Sequence, residues 1–278
     1  MLDAIIASLG YAGGVITDKI ILSKYKIPIL RFIPLLFIWL TIITAIFVPL
    51  WGEINIDRII SARYIILFCT MILVASVWNY YYAKGLQREE IHEFELIMLL
   101  SPLMTIIFAE IFLPPERSLS TLIAGLVASL ALIITRFRRH HLKIGKSAWL
   151  TMLAMVLMSF EAIIIKELLS VLSPVMLYFV RTAVISLVFL TLYRPKLFDV
   201  PRDVFGLTII SAVFGVVQMV LRFYGFQNLG VIETTTILIL GPFLVYFFSF
   251  FYFKEKIFKR DVFAALVVVA SILWVTFK

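Results

Sequence analysis

Apolar residues run along this chain in long stretches that are separated by short segments of charged residues, proline and glycine. A bilayer core about 30 Å thick needs about 20 apolar residues in a helix. The stretches therefore predict ten membrane-spanning helices. Their approximate ranges are 3–22, 30–51, 63–84, 93–113, 119–135, 147–168, 174–193, 204–226, 232–253 and 261–277.

The composition of the 278 residues agrees with this pattern. Hydrophobic residues make up 63% of the chain and charged residues 15%, and the mean hydropathy is +1.07. A soluble domain carries about a quarter charged residues. Ten spans also leave room for short loops only. The predicted fold class is an all-α integral membrane protein.

An internal repeat divides the chain into two halves. The segment from Gly85 to Pro102 returns 140 positions later, and the identical pairs are Gly85 and Gly225, Gln87 and Gln227, Glu93 and Glu233, Ile97 and Ile237, Leu100 and Leu240, Pro102 and Pro242, and Phe108 and Phe248. A repeat of nearly half the chain length indicates two copies of one unit. The predicted domains are a five-helix repeat at 1–137, a basic linker at 138–146 and a second five-helix repeat at 147–278. Because five is odd, the second copy enters the membrane inverted, as in many secondary transporters.

The basic residues predict the orientation of these spans. Seventeen of the 25 Lys and Arg residues fall in the loops after spans one, three, five, seven and nine, and five fall on the opposite face. Short basic loops stay in the cytoplasm. We therefore expect a multi-pass protein of the cell (inner or plasma) membrane with both termini outside. The net charge of +8 therefore reflects basic loops that set the membrane orientation, and no nucleic-acid partner is predicted.

Three charged residues fall inside predicted spans at one depth. At 1.5 Å per residue, Arg181 lies about 10 Å, Arg222 about 9 Å and Glu161 about 12 Å from the outer ends of their spans. Two guanidiniums and one carboxylate leave one positive charge, which suits an anion such as a carboxylate. The functional hypothesis is a substrate-binding locus in which Glu161 positions one arginine. The alternative is a buried salt bridge that only fixes helix packing, with a loop acid balancing the second arginine.

Other polar and aromatic residues extend this candidate site. Gln218 lies one helical turn before the second arginine, on the same face. Trp78 and Tyr82 have helical spacing in span three, and Asn79 is next to them. An aromatic stripe also suits a lipid-facing or interfacial anchor, so both interpretations stay open.

Two prolines interrupt equivalent spans of the two halves. Pro102 and Pro242 each follow a small residue in mid-span, and proline frees a backbone carbonyl one turn earlier. Matching breaks in both halves predict a hinge near the binding site. Thr236 ends a run of three threonines just before the second break and adds a hydroxyl there.

The remaining titratable residues in spans are few. Asp18 and Lys19 near the inner end of span one are expected to play a structural role, by pairing or by snorkelling. Glu95 and Glu110 in span four are candidates for proton coupling. Cys69 stands alone and the three histidines lie in loops, so no metal, no cofactor and no enzymatic activity is predicted.

These features together resemble the EamA domain of the drug/metabolite transporter superfamily. The residues that carry the resemblance are the YYYAKGL end of span three, the mid-span prolines and the acids Glu116 and Glu255, with Arg181 seven residues after Pro174. The first half departs from the pattern because Leu35 stands where that arginine is expected. The resemblance implies a central cavity walled by Trp78, Asn79, Tyr82, Glu161, Gln218, Arg222 and Thr236. It also implies alternating access, either as exchange with protons or as facilitated diffusion.

The expected function is secondary transport, by export, of a small amino-acid-like metabolite that is anionic or zwitterionic. The alternatives are a subunit of a flippase for lipid-linked metabolites and a non-transporting membrane scaffold. Small residues along spans five and ten suit packing within one chain or between two copies. Monomer and homodimer therefore both stay open.

Overall fold

The computed structural model describes residues 1–89, 91–98, 100–116, 119–137, 146–195, 197, 199–242 and 244–245, with residues 263, 266–267, 269–271 and 273–274. Most of the predicted basic linker, the end of the ninth span, Glu255 and much of the tenth span lie outside these residues. Over the described part of the chain, regular structure is helical, apart from one isolated bridge between Ile54 and Leu172.

Eleven α-helices follow one another along the described chain. They are α1 (Leu2–Lys19), α2 (Ile29–Trp51), α3 (Ile56–Ile59), α4 (Ala62–Arg88), α5 (Ile91–Met98), α6 (Leu100–Phe112), α7 (Leu119–Phe137), α8 (Lys146–Leu168), α9 (Pro174–Tyr193), α10 (Arg202–Asn228) and α11 (Val231–Leu238). A π-helical turn, Ile20–Lys24, continues α1, and a 3₁₀ turn, Pro114–Glu116, follows α6.

Six of the described helical segments are long and apolar enough to cross a membrane. They are Leu2–Lys24, Ile29–Trp51, Ala62–Arg88, Ala148–Leu168, Pro174–Tyr193 and Arg202–Asn228. The fourth predicted span is described as two shorter helices, α5 and α6, and shorter apolar helices also occur in the fifth and ninth spans. The protein is therefore an all-α, multi-pass membrane protein.

Local sequence explains where several helices end. Ser173 is the N-cap of α9 and Pro174 occupies the first turn, where its missing N–H is harmless. Arg194 closes α9 in a left-handed conformation, with φ of 42°. Gly230 joins α10 to α11 at φ of +93°, where a side chain would be strained.

Several hydroxyl side chains inside the spans donate to the backbone of their own helix. Ser8, Thr17, Thr44, Thr182 and Thr208 each donate to the carbonyl four residues earlier, at 2.7–3.0 Å. This local bond removes the cost of an unpaired donor in apolar surroundings. These hydroxyls therefore need no partner on another helix.

Three long helix pairs form the centre of the bundle, and α1 packs along α10, α4 along α8, and α2 along α9. The first pair is close because α1 presents a glycine. A Cβ on Gly10 would lie 2.9 Å from the backbone nitrogen of Gln218. Small residues allow such close approach of helix backbones in lipid.

Polar contacts fasten one end of the bundle, where α1, α4 and α9 finish and α2 and α10 begin. We call it the basic end. Lys19 donates to the backbone oxygens of Leu86, at 2.7 Å, and Glu89. Arg31 forms a 3.0 Å ion pair with Asp199 across the start of α2 and the segment before α10. The contacts hold the C-terminal ends of α1 and α4 together and the N-terminal ends of α2 and α10 together.

A second set of contacts fastens the opposite end. The segment before α3 meets the turn before α9, where Asn55 N donates to Val171 O at 2.8 Å. Glu116 joins three elements there. Its Oε1 lies 3.0 Å from Lys166 Nζ of α8, and its Oε2 accepts from Val231 N of α11 at 2.6 Å. Lys166 also donates to Phe226 O of α10 at 2.6 Å.

We expect Glu116→Ala to lower the free energy of unfolding by about 1–3 kcal/mol, because it removes a charge-assisted bond to a helix N-terminus and an ion pair. The midpoint of thermal unfolding of the purified protein in detergent measures the effect. Glu167→Ala is the matched control, because its partner Arg63 has a side chain that is 67% exposed. An exposed pair contributes less than about 1 kcal/mol. Equal losses in the two variants would contradict this account.

Candidate substrate-binding site

A buried carboxylate joins three helices at the centre of the protein. Glu161 of α8 accepts from Arg181 of α9 in bidentate fashion, with Nε to Oε1 at 2.7 Å and the second guanidinium nitrogen to Oε2 at 3.2 Å. Its Oε2 also accepts from the indole N–H of Trp78 of α4 at 2.6 Å. Arg181 in turn lies over the Trp78 ring, 5.8 Å from the centroid.

This arrangement neutralises both charges of the pair. The side chains of Glu161 and Arg181 are each only 2% exposed. An ion taken from water to such a place costs several kcal/mol unless geometry and hydrogen bonds compensate it. The bidentate bond and the indole donor supply that compensation, so three of the about four acceptor sites of the Glu161 carboxylate are occupied by Arg181 and Trp78.

Arg222 of α10 has no such partner. Among the described residues no carboxylate forms an ion pair with it, and its Nε is buried without a hydrogen bond. Its guanidinium carbon lies 5.0 Å from the centroid of the Phe226 ring. An aromatic face stabilises a cation but does not replace a counter-ion. Arg222 therefore carries the uncompensated positive charge.

Two adjoining cavities meet at this arginine. The first, of about 100 Å³, lies among α1, α2, α4, α8, α9 and α10, and the second, of about 60 Å³, lies among α1, α5, α6, α8, α10 and α11. Tyr11, Met158, Gln218 and Arg222 line both cavities. The guanidinium thus stands at the junction of the two spaces.

Most of the residues predicted for the site line the larger cavity. They are Trp78, Asn79, Tyr82, Arg181, Gln218 and Arg222. Glu161 stands behind this wall and acts through Arg181 and Trp78. Thr236 lines neither cavity, because its side chain faces α7, where a Cβ on Gly125 would lie 3.0 Å from its hydroxyl oxygen. Its neighbour Thr235 lines the smaller cavity in its place.

The two mid-span prolines lie on the smaller cavity. Pro102 and Pro242 both line it, on α6 and directly after α11 respectively. Ser159 of α8 contacts the backbone oxygen of Ser101 at 3.1 Å, which gives that carbonyl a partner on another helix. The structure thus brings the prolines together at the cavity. Their role as a hinge stays a prediction.

Several cavity residues were not expected from the sequence. Tyr11, Tyr178 and Ser211 line the larger cavity, and so does Asp18, which accepts a hydrogen bond from Ser211. Lys19 does not pair with Asp18 in the described contacts but donates to carbonyls of α4. The helical spacing of Tyr11, Val15 and Asp18 was a usable signal, because positions four and seven apart share one face.

Glu95 lies next to the cavity. It is 6% exposed, and the Tyr11 hydroxyl lies 3.3 Å from each of its carboxylate oxygens. Tyr11 therefore connects this acid to both cavities. Proton coupling through Glu95 or Glu110 stays a prediction.

The geometry defines a multi-pass helical membrane protein with a charged internal cavity. Residues 145–277, slightly less than half of the chain, match the model of the EamA-like transporter family. A solved crystal structure shares the fold over 99% of this chain and 96% of its own, with a TM-score of 0.74 and 15% identity. No curated protein matches the chain.

We expect Glu161→Gln to lower the free energy of unfolding by about 3–5 kcal/mol, because it leaves the buried Arg181 guanidinium without a counter-charge. Thermal unfolding in detergent measures this loss.

Arg222→Gln is the matched control for that substitution. It removes a charge that has no counter-ion, so we expect an unchanged or higher unfolding midpoint. A large loss in the Arg222 variant, or none in the Glu161 variant, would show that the charges are paired differently.

Proposed function

We propose that this protein is a secondary transporter that moves a small, amino-acid-like metabolite, anionic or zwitterionic, across the membrane by alternating access. One observation carries the proposal. Arg222 lines both internal cavities without a carboxylate partner, while the neighbouring Arg181 is neutralised by Glu161. The family matched by residues 145–277 is one of transporters.

The chemistry of the cavity suits a carboxylate. A guanidinium offers several donors in a planar fork that matches the two oxygens of a carboxylate. Gln218 lines the same two cavities as Arg222 and offers an amide beside it. Buried surroundings strengthen an ion pair relative to water. An anionic group on the substrate would therefore balance the charge that the protein leaves open.

The helix packing supports an arrangement of two inverted five-helix units. In such an arrangement the first span corresponds to the sixth and the third to the eighth. Spans one, three, six and eight are α1, α4, α8 and α10, so the contact of α1 with α10 corresponds to the contact of α8 with α4. Both contacts are among the three main helix pairs of the bundle. Contacts at the two ends of the bundle agree with this arrangement. Arg31, next to the loop after span one, forms an ion pair with Asp199 of the loop after span seven. The backbone N–H of Glu53, in the loop after span two, donates to Ser173 Oγ in the loop after span six.

We place the basic end in the cytoplasm of the cell membrane and both termini outside, because the loops with most Lys and Arg stay inside. Cys69→Ser first removes the only cysteine. We then expect a cysteine at Asp199 to react with a membrane-impermeant thiol reagent only in inside-out vesicles. A cysteine at Asp57 should react only in intact cells. The reverse pattern would contradict this topology.

A flippase for lipid-linked metabolites is the second candidate. An apolar groove of about 600 Å³ lies against α2, α9 and α10, and Trp51, Val220 and Tyr224 line it. No described residue that lines the groove also lines either cavity. A lipid there would not reach Arg222, so transport of a small solute is favoured.

Flux into proteoliposomes tests the proposal. We expect the wild-type protein to move at least one labelled amino acid or small carboxylate. Arg222→Ala should lower that flux about tenfold or more, because a lost charge-assisted contact of about 1.4 kcal/mol already corresponds to a factor of ten.

Arg63→Ala is the control for that experiment, since Arg63 is exposed and far along α4 from Trp78. Its flux should equal that of the wild type. The proposal would be contradicted if no amino acid or carboxylate were transported and Arg222→Ala did not change ligand binding. That result would favour the non-transporting scaffold.

A further inference from the structure

The larger cavity contains a second uncompensated charge, of the opposite sign. Asp18 of α1 lines it, and its only described polar contact is the hydroxyl of Ser211, which donates to Oδ1. No described Lys or Arg forms an ion pair with Asp18. The adjacent Lys19 is turned to the carbonyls at the end of α4. A hydroxyl donor orients the carboxylate but leaves its charge unbalanced.

The two open charges lie at opposite ends of one space. Ser211, which marks the level of Asp18, and Arg222 are eleven residues apart on α10, which places their backbones about 16 Å apart along the helix axis. Tyr11, Tyr82 and Met219 line this space, as do the amides of Asn79 and Gln218. Apart from these amides and the charged residues, the lining is mostly aromatic and apolar.

Each charge by itself destabilises the protein, because an ion inside the membrane is costly without a partner. The two cannot pair with each other across this distance. A simple anion would balance Arg222 and leave Asp18 open. An α-amino acid with an uncharged side chain carries its only ammonium next to its carboxylate and would also satisfy one end only. Both charges are balanced by a ligand whose own charges are several ångströms apart.

We propose that the substrate is an elongated ampholyte of the ω-amino carboxylate class. Its carboxylate binds Arg222, its ammonium binds Asp18 and its methylene chain lies along the aromatic wall. This inference rests on the proposed transport function and specifies its substrate. Asp18 is then the cation subsite, a role that its position next to Lys19 in the sequence conceals.

Ligand binding by the full-length protein in lipid nanodiscs tests this inference. The probes are ω-aminohexanoate, hexanoate and alanine, and the readout is the dissociation constant from titrations of the unfolding midpoint. We expect ω-aminohexanoate to bind about tenfold or more tightly than hexanoate or alanine, because it forms one more charge-assisted contact. Asp18→Asn should remove this advantage and leave hexanoate binding unchanged.

Two further variants keep the test decisive. Asp18→Glu keeps the charge and should retain a preference for ω-aminohexanoate, also in the event that Asp18→Asn folds poorly. Arg222→Gln should weaken all three probes. If Asp18→Asn changes no affinity, or changes only the pH dependence of flux, Asp18 is not a cation subsite and the inference fails. In that outcome, weaker binding of the probes by Arg222→Gln would still support the proposed transport function. Unchanged binding in both the Asp18 and the Arg222 variants would overturn both proposals.

Discussion

The central constraint in this protein is that one buried carboxylate lies near two arginines and pairs with only one of them. Glu161 bonds to both ends of the Arg181 guanidinium fork and to the indole of Trp78, so α4, α8 and α9 are fixed to one another. A carboxylate with these three donors has little capacity left for Arg222. The protein therefore combines a neutral wall of Glu161, Arg181 and Trp78 with a neighbouring cation, Arg222, that no described carboxylate balances.

Positions of α4 and α10 that align in the sequence repeat differ in chemistry. The 140-residue offset that aligns Gly85 with Gly225 also aligns Trp78 with Gln218 and Tyr82 with Arg222. Equivalent positions on α4 and α10 thus carry aromatic rings on one side and polar or charged groups on the other. The two helices each pack along one main partner, α4 along α8 and α10 along α1, and they present different side chains to the cavity. Such a cavity suits a substrate with a charged group and an apolar part.

The sequence predicted the six long apolar helices that the structure describes and the proximity of Glu161, Arg181 and Arg222, because an ionisable residue in a long apolar stretch stands out and helical rise gives its depth. It did not distinguish Thr235 from Thr236, since successive residues turn about 100° around a helix and either could face inward. It also missed the contact of Asp18 with Ser211. That contact depends on which face of α1 meets α10, and the close approach at Gly10 decides this only in three dimensions.

Access of water to the cavity tests the central claim most directly. In a Cys69→Ser background, Gln218→Cys would place a thiol beside Arg222. A charged, membrane-impermeant thiosulfonate added to the reconstituted protein measures whether that thiol meets water. Our account predicts rapid modification, and slower modification when substrate is bound. A thiol that reacts only after denaturation would show a dry, sealed centre and would contradict the account.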